Sequence, residues 1–271
     1  MGSNSRKNKR PAKPPPESDR RVADPSGNSK PLFAFQGGAA EDRRALYSDL
    51  SHLVRNPLNG LCGYIDYLFK GYAGRLTNEQ LDPLGQAREA ALRLQKSLDV
   101  LMDVAAFDWG LVSPEGEPVN LNDFLASIVR QIEEWVSGES LSISLKLPPK
   151  ALWSASDEKW LKALLFEVIT NAVRVSPKES VIDIRLWKEG AWALFRVQDQ
   201  GPGVPEAKRS WIFQPLAQLK RRDDPPKGER GGLGLALAAR VAAHYGGRIW
   251  AEGGSEGGLS VVIRLPLIKG G

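Results

Sequence analysis

The chain has 271 residues, 42% hydrophobic and 25% charged, an ordinary globular composition with room for one or two domains. A single cysteine, Cys62, excludes an intramolecular disulfide framework and a multi-cysteine zinc site, and two histidines, His52 and His244, exclude a histidine-rich metal centre. No run approaches the ~18–20 apolar residues of a membrane span, and the first residues are too polar for a secretory signal, so a cytoplasmic location is expected.

The net charge is +5, and residues 1–32 supply all of it, with eight Lys or Arg against three acids. This stretch is rich in Pro, Ser, Lys and Arg and has too few large apolar side chains to bury a core. Residues 1–40 are therefore expected to form a disordered basic tail and linker. No aromatic residue interleaves the charges, so nucleic-acid binding is not expected. Phe33 and Phe35 are expected to pack on the helices that follow.

From Glu41 to about Tyr72 the apolar residues Leu46, Leu50, Val54, Leu58, Leu61, Ile65 and Leu68 recur in steps of three and four, a helical stripe. Pro57 is expected to interrupt and kink that helix. After a glycine-bearing turn and Thr77 as N-cap, a second helix runs from about Asn78 to Trp109, with a heptad seam of Leu84, Ala87, Ala91, Leu94, Leu98, Leu101 and Ala105. Two such helices make a hairpin over residues 41–112 whose apolar face needs a partner, and two copies give a dimeric four-helix bundle.

Residues 113–271 change pattern. Helices are expected over Leu121–Val136 (capped by Asn120 or Asn122), Asp157–Val175 and Gly234–Tyr245. Alternating strands are expected over Leu141–Leu147, Val181–Trp187, Trp192–Gln198, Arg248–Ala251 and Leu259–Leu265. The expected fold class is a helical hairpin followed by an α+β sandwich with a largely antiparallel sheet.

Three segments of this second region carry chemistry. Asp199-Gln200-Gly201-Pro202-Gly203 ends a strand with an aspartate and two glycines, which let backbone approach a ligand while the carboxylate accepts from an exocyclic amine. Gly228-Glu229-Arg230-Gly231-Gly232-Leu233-Gly234-Leu235 runs into a helix start, where free N–H groups and the helix dipole favour phosphate. Glu167 and Asn171 lie at i and i+4 on one helix and offer two hard oxygen ligands to magnesium. In order and spacing the three resemble the nucleotide-binding boxes of the histidine-kinase, gyrase and Hsp90 type of ATPase. Phe213 is similar to the aromatic box between the glycine motifs. Residues Ala217–Arg230, with Lys220, Arg221, Arg222 and Lys227, match the mobile lid.

In the first helix, Ser51-His52-Leu53-Val54-Arg55-Asn56-Pro57-Leu58 resembles the phosphoacceptor box of histidine kinases. His52 falls about 200° round the helix from Leu50, off the apolar stripe. The resemblance to two-component sensor histidine kinases covers about residues 41–268. It implies ATP and Mg2+ as cofactors, a response regulator receiver domain as partner, and a homodimer. Residues 1–40 are too short and too polar for an input domain, so the expectation is a separate sensor or input protein, or that the chain is a fragment. Carried over, His52 is the nucleophile, with Arg55, Asn56 and Glu167 among the catalytic residues. Glu167 and Asn171 hold magnesium, Asp199 contacts adenine, Gly201 and Gly203 shape its pocket, Arg174 sits near the phosphates, and Gly232, Gly234 and Leu235 form the phosphate end of the lid. Leu53 departs from the family, which has an acid after the histidine to orient the imidazole and take its proton. The alternative this raises is a degenerate kinase, or a phosphatase-biased regulator using Asn56, that binds partners through the bundle. His244 is expected to be structural, Cys62 to be a core residue, and the tryptophans to be packing residues.

Overall fold

The computed structural model describes residues 32, 39–113, 115–136, 141–217, 232–254 and 257–268. The basic tail, Phe33, Phe35 and the expected lid beyond Ala217 lie outside the described residues.

Two long helices come first. Helix α1 spans Ala40–Phe69 and α2 spans Asn78–Asp108. Thr77 starts α2 as expected, its backbone N–H donating to Gln80 Oε1 at 3.0 Å, half of a reciprocal cap. Helix α1 runs unbroken through Pro57, which corrects the expected interruption. Proline has no N–H, so the Leu53 carbonyl loses its helical donor there. Only part of the apolar stripe is covered by α2: Leu58, Ile65, Ala91 and Met102 are buried, whereas Leu46, Leu61 and Leu94 are exposed. Polar ties run along the hairpin, Arg55 to Asp99 at 3.0 Å, Arg88 to Asp66 at 2.7 Å and Gln95 to Asn59 at 3.1 Å.

The second region is a sheet with helices on one face. A short strand β1 (Glu117–Asn120) leads into α3 (Leu121–Val136), then β2 (Ser142–Lys146), β3 (Trp153–Ser156) and α4 (Glu158–Val175). Strands β4 (Val181–Glu189) and β5 (Trp192–Gln198) follow, then two single 3-10 turns at Glu206–Lys208 and Trp211–Phe213, α5 (Gly234–His244), β6 (Arg248–Gly253) and β7 (Leu259–Pro266). The main sheet has the order β2-β4-β5-β7-β6, with β2 parallel to β4 and every other pairing antiparallel. Asn120 caps α3 by accepting from the Asn122 N–H at 3.1 Å. Asn122 instead ties down the loop ahead of β3, donating to the Pro148 carbonyl and accepting from the Leu152 N–H.

Alternation places Ile182, Ile184, Leu186, Phe195, Val197, Val261, Ile263 and Leu265 on one sheet face, all buried against α3, α4 and α5. The other face carries arginines stacked on tryptophans, Arg264 over Trp192 at 4.2 Å and Arg196 over Trp187 at 5.5 Å. The expectation that tryptophans are packing residues holds there, but Trp135 and Trp211 are exposed. Cys62 is half-buried rather than core.

Candidate functional site

Helix α4 starts at Asp157, whose carboxylate accepts from the Lys159 N–H at 2.7 Å. Its buried stripe, including Leu161, Leu164, Leu165, Val168 and Ile169, seats it on the sheet. Glu167 and Asn171 then sit one turn apart along the flank that borders a pocket. Neither makes a hydrogen bond or ion pair among the described residues, so both oxygens are available to a ligand.

The opposite wall is the turn after β5. Asp199 is 2% exposed, and its Oδ1 accepts from the N–H groups of Gly201 and Leu259, both at 2.9 Å. That pair of hydrogen bonds from the backbone fixes the carboxylate's orientation. Gly201 packs edge-on to α4: a Cβ there would come within 2.8 Å of the Val175 carbonyl oxygen. Gly203 has φ of +68° and lies so close to Gly258 that a Cβ would be 2.8 Å from the Gly258 carbonyl oxygen.

The third wall is the start of α5. Gly234 rests directly on Glu167, and a Cβ at Gly234 would overlap Glu167 Oε2. The first N–H groups of a helix are unsatisfied and carry the positive end of its dipole, so the pocket acquires an anion-binding end beside the Glu167 carboxylate. Gly232, with φ of +60°, hands its carbonyl to the Leu216 N–H at 2.8 Å. That bond pins together the two described ends of the stretch where the lid is expected.

One pocket is thus lined by Glu167, Asn171, Arg174, Asp199, Gly203, Gly232, Gly234 and Leu235, eight of the residues singled out from sequence. Gly201 stands just behind them. Arg174 is exposed and makes no ion pair among the described residues, a free cation at the rim. The apolar walls were missed: Val175, Val204, Ile212, Ala217 and Leu259. Phe213 is buried in the core, and its neighbour Ile212, also buried, lines the pocket. Gly258 was missed as well. It has φ of +71°, and a Cβ would overlap the Asp199 carbonyl oxygen. The unusual run Gly253-Gly254-Ser255-Glu256-Gly257-Gly258 was the available signal.

The donor set fits a magnesium ion and a polyphosphate. Among the described residues there is no cluster of three or more His, Cys, Asp or Glu side chains for a metal. Magnesium does not need one, since it takes one or two protein oxygens and completes its shell with water and phosphate.

His52 is exposed on α1, as its helical angle implies, and no residue of the hairpin lines the pocket. Leu53 beside it is 71% exposed. Arg55 is held by Asp99 across the hairpin, and Asn56 is exposed. His244 is structural, as expected: its Nε2 donates to the Ser113 carbonyl at 2.8 Å.

Residues 156–269 match the model of the histidine kinase-, DNA gyrase B-, and HSP90-like ATPase family. The chain as a whole is similar to two-component sensor histidine kinases. It is 27% identical over 221 residues to the circadian input-output histidine kinase CikA of Synechococcus elongatus, covering 80% of this chain and 29% of the relative. It is 28% identical over 233 residues to the sensor protein kinase PmrB of Pseudomonas aeruginosa, covering 84% of this chain and 46% of the relative. The chain therefore spans less than half the length of these two relatives. In fold it resembles full-length ShkA, solved in complex with AMPPNP, with a TM-score of 0.70 over 83% of this chain and 46% of that one at 23% identity. These matches are longer than the ATPase stretch, so they extend into the hairpin. No described helix is long and apolar enough to cross a membrane.

Proposed function

We propose that this chain is a histidine kinase that uses Mg-ATP to phosphorylate His52 and passes the phosphoryl group to an aspartate of a response regulator. The carrying observation is the single pocket that gathers Glu167, Asn171, Asp199 and the Gly232–Gly234 helix start, in a chain that also presents an exposed histidine on a helical hairpin. Adenine fits against Asp199, whose fixed carboxylate accepts from the exocyclic amine. The phosphates fit the start of α5 and Arg174. Glu167 and Asn171 would hold magnesium, which neutralises charge on the phosphates.

The transfer is positioning and electrostatics. A nitrogen of His52 attacks the γ-phosphorus, the bond to the β,γ-bridging oxygen breaks, and ADP leaves. The other ring nitrogen sheds its proton. Leu53 cannot accept that proton, and absence of a general base typically slows such a step by ~10²–10⁴-fold. The reading therefore includes slow self-labelling. A receiver-domain carboxylate then takes the phosphoryl group from the N–P bond. Exposed apolar residues on the hairpin support a homodimer with a four-helix bundle, and ATP as substrate puts the work in the cytoplasm.

The test is incubation of the purified chain with γ-labelled ATP and magnesium beside a His52→Ala variant. Acid-labile, base-stable label on the wild type alone is the expected result. No label while nucleotide still binds would replace the autokinase with a phosphatase-biased or degenerate regulator, in which Asn56 is the residue of interest.

A further inference from the structure

Among the described residues, no helix packs on the outer face of the main sheet. Register sets the side chains of that face in rows across the strands. One row is Trp187, Leu194, Arg264 and Arg248. The next holds Lys146, Arg185, Arg196 and Trp250. Arginines stand directly opposite each other twice, Arg185 against Arg196 and Arg248 against Arg264. Like charges in that position are destabilising, so a sheet that met only water would gain nothing from them.

Acids neutralise only part of this charge. Asp183 holds Arg185 at 2.5 Å and Lys146 at 3.1 Å. Glu252 lies 3.7 Å from Arg196 and accepts from Trp250 Nε1 at 2.7 Å. Arg248 and Arg264 make no ion pair or side-chain hydrogen bond among the described residues. Arg264 Nε is buried without a partner, and its guanidinium lies 4.2 Å over the Trp192 ring. Arg196 lies over Trp187 in the same way, at 5.5 Å. Beneath these flat side chains Leu194 and Val262 are buried, although no described helix covers them. Half-buried tryptophan and arginine are the residues that concentrate at the energetic centres of protein interfaces.

We propose that this face docks an acidic protein segment, an extended run of Asp and Glu laid across the strands. Five strands span about 19 Å, the reach of roughly six extended residues. A guanidinium takes a carboxylate with two parallel hydrogen bonds, and Arg248 and Arg264 have donors uncommitted for this. A nucleic-acid strand fits less well. A guanidinium already occupies one face of Trp187 and one of Trp192, and bases need open rings to stack on. Asp183 and Glu252 on one side and Glu189 on the other also bound the arginine rows, so a longer polyanion running along the strands meets carboxylates at both ends. The nucleotide pocket lies on the helical side of the sheet, so this proposal stands apart from the kinase reading.

The test titrates a fluorescein-labelled poly-glutamate peptide into the full chain at low salt and reads its anisotropy. Residues 1–32 carry net positive charge and attract the same probe, so wild type and variants are compared with that stretch kept in all of them. Arg248→Gln with Arg264→Gln is expected to weaken binding at least about tenfold. Lys70→Gln with Arg75→Gln removes the same charge from the exposed turn between α1 and α2, and is expected to weaken binding less than about twofold. Arg264→Lys keeps the charge without the planar fork and is expected to fall between them. Arg248→Gln alone relieves one opposed pair and keeps the stack on Trp192. It is expected to melt no lower than the wild type, and to carry the comparison, with a loss of at least about threefold, should the double variant fail to fold. Equal losses in the two double variants, or no binding by the wild type, would overturn the site. A clearly lower melting temperature for Arg248→Gln would make that arginine structural and overturn its role in docking. Tighter binding of labelled oligothymidylate through the same two arginines would replace the protein segment with a nucleic acid.

Discussion

At Gly258 the chain gives up a side chain so that Asp199 can be held. The residue has φ of +71°, and its missing Cβ is the space occupied by the Asp199 backbone. Gly258→Ala should therefore push the Asp199 turn out of place, with a left-handed conformational penalty of about 1–2 kcal/mol added. Gly257 is the built-in control. It has φ of +87°, but a Cβ there meets nothing within 4 Å. Titration calorimetry with AMPPNP should show affinity falling by at least about tenfold for Gly258→Ala, and far less for Gly257→Ala. Equal losses would mean that backbone strain alone, not the packing on Asp199, sets the affinity. Leu53 is the second residue of interest. Being mostly exposed, it can be changed with little effect on the monomer's stability. Leu53→Glu places a carboxylate next to His52, and the initial rate of self-labelling should rise at least about tenfold if proton removal limits the reaction. An unchanged rate would locate the slow step elsewhere, in nucleotide delivery.

Among the elements, the buried partners of α2 make a pH-dependent contact. Asp99 and Asp103 lie one turn apart, and the groups facing Asp103 are Lys159 of α4 with Tyr47 and Arg55 of α1. Burial holds the Asp103 carboxyl above the usual carboxylate range, Asp99 adds to the rise, and Lys159 and Arg55 oppose it. A raised carboxyl binds its proton more tightly in the folded chain than in the unfolded one. Its contribution to stability is present below the unfolded pKa and is lost as pH rises through the folded value. Asp103→Asn keeps the shape without the charge, so it should melt above the wild type at pH ~7, with the gap closing below pH ~4. A constant gap across that range would assign the difference to packing instead. Most elements were legible because their periods are clean: α3, α4, β4, β5 and β7 fall within two residues of the expected bounds. Strands β1 and β3 were not, because Glu117–Asn120 and Trp153–Ser156 are four residues each, too short for an alternation to stand out, and they exist only by pairing with each other. The pocket's polar residues were readable from glycine and carboxylate spacing. Its apolar walls were not, since Val175 or Ile212 looks in sequence like any core residue and only the turn geometry aims it at a ligand.

At the scale of the whole molecule, the hairpin has more apolar surface than α2 can cover. Leu46, Leu61 and Tyr64 follow one another at fifteen and three residues, a single helical face, and remain exposed, Leu61 at 47% and Tyr64 at 75%. Leu92 and Leu94 are exposed on α2. A second copy related by a two-fold axis would bring this face against its own image, which is the way a two-helix hairpin becomes a four-helix core. Burying a leucine side chain contributes roughly 1.5–3 kcal/mol, so a few such contacts from each protomer suffice for a stable pair once the cost of association is met. Leu61→Glu with Leu94→Glu puts charges of one sign on that seam, while the ion pairs Arg55–Asp99 and Arg88–Asp66 within each hairpin are untouched. Sedimentation velocity should show the wild type as a dimer and the double variant as a monomer, with helical circular dichroism retained. A wild type that sediments as a monomer at micromolar concentration would require a different protein to cover this face. A double variant that stays dimeric would put the contact elsewhere on the molecule.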